Sequence, residues 1–100
     1  MTDYIILMHA GAPAAAGDAP HSWPAYVAAL ESAGALQGGS AIGDGICVSK
    51  SGTDVPIARH ITGYLRIGAA NLDAARALLA GNPVYEAGGT VEIRELPRTS

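Results

Sequence analysis

The sequence contains a single cysteine, Cys47, no phenylalanine, and only six lysines and arginines among 100 residues. One cysteine excludes an internal disulfide and a cysteine-rich zinc site, and it agrees with a reducing compartment. The six cations (Lys50, Arg59, Arg66, Arg76, Arg94 and Arg98) are scattered and the formal net charge is -3. The clustered basic patch that nucleic acid demands is therefore missing. No apolar run approaches the ~20 residues that span a bilayer, and Met1-Thr2-Asp3-Tyr4 places no basic segment ahead of Ile5-Ile6-Leu7-Met8. We expect a cytoplasmic protein with neither nucleic acid nor membrane as partner. No metal-ligand spacing such as H-x-x-x-H occurs. Glycines 38, 39, 43 and 45 do not make a phosphate-binding loop, because Ser49 precedes Lys50-Ser51 where that loop requires Gly. The sequence thus asks for no cofactor and no metal.

What is present is apolar. Hydrophobic residues make up 49% and charged residues 15%, too apolar and too weakly charged for a disordered chain. A chain of this length builds one modest core, so residues 1-100 read as a single domain. So few charges on a small domain, with its high surface-to-volume ratio, imply that another subunit covers some apolar surface. A homodimer is the expected state.

Along the chain, Tyr4 to His9 is a short run of strand formers ended by Ala10-Gly11-Ala12-Pro13, a first strand. Ala10 to Pro20 is a loop without periodicity, either a lid or a plain connector. Ser22 caps a helix with Pro24 in its first turn; Trp23, Tyr26, Val27 and Leu30 form one face, and Gly34 ends it. Leu36 to Ile42 reads as a second strand, kinked at Gly38 and Gly39. Ile46-Cys47-Val48 and Val55-Pro56-Ile57, separated by Ser51-Gly52-Thr53-Asp54, predict an extra hairpin between Ile46 and Arg59. His60 to Ile67 alternates as a third strand, with Ile61, Gly63, Leu65 and Ile67 on one side and Thr62, Tyr64 and Arg66 on the other. Asn71 caps a second helix with Leu72, Ala75, Leu78 and Leu79 as its stripe and Gly81-Asn82-Pro83 as its stop. Tyr85 and Glu86 fall in the following loop, and Thr90 to Leu96 is the last strand, with Val91 and Ile93 opposite Glu92 and Arg94. Two strand-helix-strand units in succession predict an α+β, ferredoxin-like β-α-β-β-α-β fold, both helices covering one face of an antiparallel sheet and the other face left open.

With these elements placed, four stretches stand out: Trp23-Pro24-Ala25-Tyr26 with Leu30, the run Ala33-Gly34-Ala35-Leu36-Gln37-Gly38-Gly39, Gly63-Tyr64-Leu65, and the stretch from Asn82 to Arg94. Through these residues the chain resembles, over nearly its whole length, the YCII-related domain family, sometimes called DGPF proteins. The resemblance implies a subunit that pairs into a dimeric α+β barrel with a cleft between sheet and loops. The Asp-Gly-Pro-Phe segment that names one branch is absent, its place taken by Ser51 to Arg59. The helix-start histidine of the other branch, paired there with an acidic residue, falls on Trp23, and His21 stands two residues earlier.

His9 ends the first strand and His21 precedes the first helix, so the topology brings both toward one mouth of the cleft. There histidine can serve as general acid or base near neutral pH. They are the candidate catalytic residues, against the reading that both are ordinary polar residues at element ends. His60, at the start of the third strand, is expected at the far end of the barrel. Tyr64 and Arg66, with Glu92 and Arg94, are expected to point into the barrel, as small-anion ligands or as an inter-subunit polar network. Trp23, Tyr64, Arg66 and Tyr85 are the candidate ligand-binding residues. Two functions remain open: a small-molecule-binding, cofactor-independent enzyme of isomerase, lyase or oxygenase type using histidine acid-base chemistry, or a non-catalytic ligand-binding or regulatory module.

Overall fold

The structure is a computed structural model that describes residues 1-11, 22-52 and 56-98. Its elements are β1 (Thr2–His9), α1 (Trp23–Ser32), β2 (Leu36–Ala41), β3 (Ile61–Ala69), α2 (Leu72–Ala77), α3 (Pro83–Glu86) and β4 (Val91–Leu96). The four strands make one antiparallel sheet in the order β2-β3-β1-β4. This is the ferredoxin-like arrangement expected from the element order.

Strand alternation gives the sheet two different faces. On one, Tyr4, Ile6 and Met8 of β1 pair with Ile67, Leu65 and Gly63 of β3, and Ile6 and Met8 pair with Ile93 and Val91 of β4. These residues meet Tyr26 and Leu30 of α1, Ala75 of α2, and Leu79 and Val84; Ile6 and Ile67 are wholly buried. On the other face, Ile5 lies between Arg66 and Arg94, and Leu7 lies between Tyr64 and Glu92. No helix of the described residues covers that face. Asp3 anchors its edge, accepting hydrogen bonds from Arg98 Nε (2.8 Å) and Gln37 Nε2 (2.8 Å).

The helices start and stop where local chemistry dictates. Ser22 Oγ accepts from Ala25 N and Pro24 sits in the first turn. At the other end Gly34, at φ 69°, lets Ala35 N reach Leu30 O and Gly34 N reach Glu31 O, a Schellman stop that a Cβ would strain. Tyr26 Oη donates to Leu78 O at 2.7 Å, tying α1 to the end of α2, and its burial pushes the phenol pKa up. Asn71 Oδ1 accepts from Ala74 N and caps α2. No helix of the described residues is long and apolar enough to cross a membrane.

Three details differ from the sequence expectations. Tyr85 and Glu86 belong to a short helix, α3, because the buried Asn82 caps it through Val84 N and Tyr85 N and Pro83 is preset for a first turn. Leu72 is 55% exposed instead of sharing the α2 stripe, since it opens a helix of 6 residues that turns its later positions to the sheet. The stretch from Gly43 to His60 reverses on itself, with Cys47 Sγ 3.6 Å from Pro56 O and Arg59 Nη1 3.1 Å from Asp44 Oδ1. It forms no strand among its described residues; Thr53, Asp54 and Val55 of the expected hairpin lie outside them.

Candidate functional site

The helix layer does not close evenly over the sheet. Between α1 and the β2 edge lies a cavity of about 570 Å³, walled by Trp23 and Val27 of α1, Leu36, Gly39 and Ala41 of β2, and Val84 of α3. Its floor is Met8, Gly63 and Leu65. The space exists because β2 carries almost no side-chain bulk there, and Gly39 lets the strand press against β3. A Cβ at position 39 would stand 2.5 Å from Leu65 Cδ2 and 2.7 Å from Tyr64 O. The register shift between Leu36 and Gly38 is the anticipated kink. Trp23 packs edge-on against Tyr26, ring centroids 6.1 Å apart. Ser40, Thr62 and Tyr64 also border the cavity, although pairing places Ser40 and Tyr64 on the open-face set of their strands. Among the lining residues there is no carboxylate, histidine, lysine or arginine. Volume and lining suit a compact, mostly apolar ligand.

A second cluster forms where β1 ends. The ladder with β3 slips between Met8 and His9, and His9 Nε2 stands 3.0 Å from Glu92 Oε1 on β4. Glu92 Oε2 in turn accepts from Arg94 Nη1 at 3.2 Å. Arg94 first, and His9 second, lower the Glu92 pKa, so this carboxylate is ionised and can only accept. His9 Nε2 must then carry the proton, leaving Nδ1 as the ring's basic atom. The pair is sheltered, with side-chain exposures of 22% for His9 and 34% for Glu92. Such an arrangement can orient an imidazole to take or give a proton.

His60 corrects an expectation. Its ring stands edge-on to that of His9, centroids 5.0 Å apart, instead of at the far end of the barrel. The reason is topological: β3 runs antiparallel to β1, so the start of one lies beside the end of the other, and Ala10 N donates to His60 O. No group of three or more His, Cys, Asp or Glu that could hold a metal occurs among the described residues.

The candidate residues from sequence fall in separate places. Trp23 and Tyr64 border the cavity. His9 follows Met8 but joins Glu92, which pairing places on the opposite face from the Met8 set. Arg66 is exposed on that same face, its Nη2 donating to Gln37 O. Tyr85, 47% exposed, borders a shallower groove with Leu72, Arg76, Leu79, Val91 and Ile93. His21 lies outside the described residues, as does all of the expected Ala10 to Pro20 loop beyond Gly11. Periodicity alone puts Glu92 on the correct face but does not join it to His9. That step needs the strand order, which sets β4 beside β1.

No protein-family model matches the chain, and no curated protein matches it either. Among solved structures, the chain is similar to the 5-chloro-2-hydroxyhydroquinone dehydrochlorinase of Burkholderia phenoliruptrix AC1100, solved in complex with 2,5-dihydroxybenzoquinone. The TM-score is 0.59 at 17% sequence identity, covering 97% of this chain and 95% of the other. The likeness establishes a shared fold along the whole length.

Proposed function

We propose that the chain is one subunit of a homodimeric α+β barrel of the YCII-like kind, and that it binds a compact, largely apolar small molecule in the cleft between α1 and β2. The observation that carries this reading is the cavity itself. At about 570 Å³, roofed by Trp23 and Val27 and floored by Met8 and Leu65, it falls within the roughly 300 to 1,000 Å³ common to small-molecule sites. Its wall of apolar side chains with an aromatic ring fits a flat ring better than a charged metabolite. The structural neighbour, which shares the fold, holds 2,5-dihydroxybenzoquinone, a flat ring of suitable size; since its vinylogous-acid hydroxyls ionise below neutral pH, its neutral relative hydroquinone is the better first probe of an uncharged cleft.

Trp23 is the only tryptophan and reports on its own cleft. Titration with hydroquinone and related neutral dihydroxy-aromatics should quench its fluorescence saturably, with heat measured in parallel by calorimetry. Val27→Phe, which adds a ring to the cleft wall, should abolish the saturable phase while leaving the circular dichroism spectrum intact. Equal binding by Val27→Phe and the parent chain would remove the ligand from this cleft.

The His9-Glu92 pair favours a second reading, a cofactor-independent enzyme in which His9 Nδ1 acts as general base and Glu92 fixes the ring. Here the reacting molecule would lie on the open sheet face, between subunits, since the apolar cleft offers no histidine or carboxylate of its own. His9→Gln abolishing turnover of a substrate that the variant still binds by calorimetry would support catalysis. Turnover indifferent to His9 removes this histidine as the base, and the absence of any turnover leaves the non-catalytic binding module as the reading that stands.

A further inference from the structure

Residues 42-48 place three large apolar side chains in water. Ile42 is 41% exposed, Ile46 83% and Val48 81%. Elsewhere in the described chain only Met1, Leu72 and Tyr85 are comparable, and those are dispersed. The segment is nevertheless braced. Ile42 N donates to Thr62 O, extending the β2 ladder by one bond, and Asp44 meets Arg59 at 3.1 Å. Ile57 Cδ1 lies under Gly45, 3.5 Å from where a Cβ would stand. The arm therefore has a shape of its own, yet Ile46 and Val48 gain almost nothing from it. Exposed large apolar side chains gathered in one short segment mark a surface that another molecule covers.

The open sheet face indicates which molecule. Its four strands hold 8, 6, 9 and 6 residues, and at ~3.3 Å per residue and ~4.8 Å between strands they project an area of roughly 500 Å². A stable interface buries about 800 Å² on each partner, so two copies meeting through their sheets alone fall short. The arm springs from the edge of that sheet, leaving after β2 and returning at His60 beside the end of β1. It is positioned to supply the missing apolar area. Most charges of the face are already met within the chain, Asp3 by Arg98 and Glu92 by Arg94, while Arg66 donates to Gln37 O and remains a cation on that face.

We infer that residues 42-48 form an arm that grips a second copy of this chain, with Ile46 and Val48 buried on the partner. This rests on the dimeric reading above, and the test separates the two. Sedimentation across a concentration series is run on the parent chain and on Ile46→Ser/Val48→Ser, whose exposed positions leave the fold unaffected. In parallel, the rate at which the single thiol, the exposed Cys47, reacts with dithiobis-nitrobenzoate is followed over the same concentrations. The expected result is a parent dimer, a double variant whose dissociation constant rises about 100-fold or more, and a Cys47 rate that falls as dimer forms. A dimer that survives both substitutions, with a Cys47 rate indifferent to concentration, overturns the arm and leaves the dimer standing. A parent chain that stays monomeric overturns both.

Discussion

Gly39→Ala adds one methyl group at the closest approach in the sheet. The new Cβ would stand 2.7 Å from Tyr64 O and 2.5 Å from Leu65 Cδ2. Ordinary carbon-oxygen contacts are about 3.3 Å and carbon-carbon contacts about 3.5 to 4.0 Å, so the overlap is roughly 0.6 Å on one side and 1 Å or more on the other. Leu65 could rotate away, but it is 7% exposed and packed in the core. Tyr64 O belongs to the backbone of β3 and moves only with the strand. Overpacking of this kind costs about 1 to 3 kcal/mol, while the loss of glycine's freedom in the unfolded chain returns about 0.4 to 1 kcal/mol. We expect a net loss of about 1 to 2 kcal/mol, which lowers the melting temperature of a domain this size by roughly 4 to 16 °C. Gly43→Ala is the control, since a Cβ there meets nothing within 4 Å. Urea titration and thermal melting of both variants would decide the matter. A Gly39→Ala chain as stable as Gly43→Ala would refute the close approach of β2 to β3, and with it the shape of the cleft.

Other perturbations test other parts of the fold. Leu30→Ala, at a position 2% exposed, should cost about 2 to 5 kcal/mol through lost burial and a residual cavity, read from the urea midpoint. Asn71→Ala removes the acceptor for Ala74 N and should cost about 1 kcal/mol, with Asn71→Ser recovering most of it. Hydrogen bonds first from Arg98 and then from Gln37 hold the Asp3 carboxyl at about 2, against an ordinary 3.8. A lowered folded-state pKa stabilises the fold above the unfolded value and is lost as pH falls toward the folded one. Stability should therefore decline between about pH 4 and pH 2, and Asp3→Asn should flatten that part of the pH profile.

Much of this architecture is legible in the sequence because it is written in local patterns. The apolar run from Tyr4 to His9 marks a strand, alternation along Ile61 to Ile67 and Val91 to Ile93 separates the two faces of theirs, and Ser22, Gly34 and Asn71 mark helix ends through side-chain and backbone chemistry that acts within a few residues. Whatever depends on which strands are neighbours is harder to read. His60 is 51 residues from His9 in sequence, and only the antiparallel β1-β3 pairing brings their rings together. The cleft is a void defined by what Gly39 and Ala41 lack, which no periodicity announces. The expected hairpin has suitable turn chemistry, yet the described residues on either side show no ladder, since turn residues permit a reversal without supplying the pairing that makes strands.

β1 occupies the middle of the sheet with both of its faces in use, and this bears on which changes the chain can absorb. Tyr4, Ile6 and Met8 serve the core while Asp3, Ile5, Leu7 and His9 serve the open face, so no position between them is silent. A single inserted or deleted residue would exchange the two sets, sending the core side chains outward and the imidazole inward. The described residues between Gly43 and Arg59 lie outside the sheet ladders, and this connection can lengthen or shorten without disturbing any register. Natural length variation in chains of this fold should accordingly gather between the second and third strands, and the first strand should keep its residue count even where its identities drift.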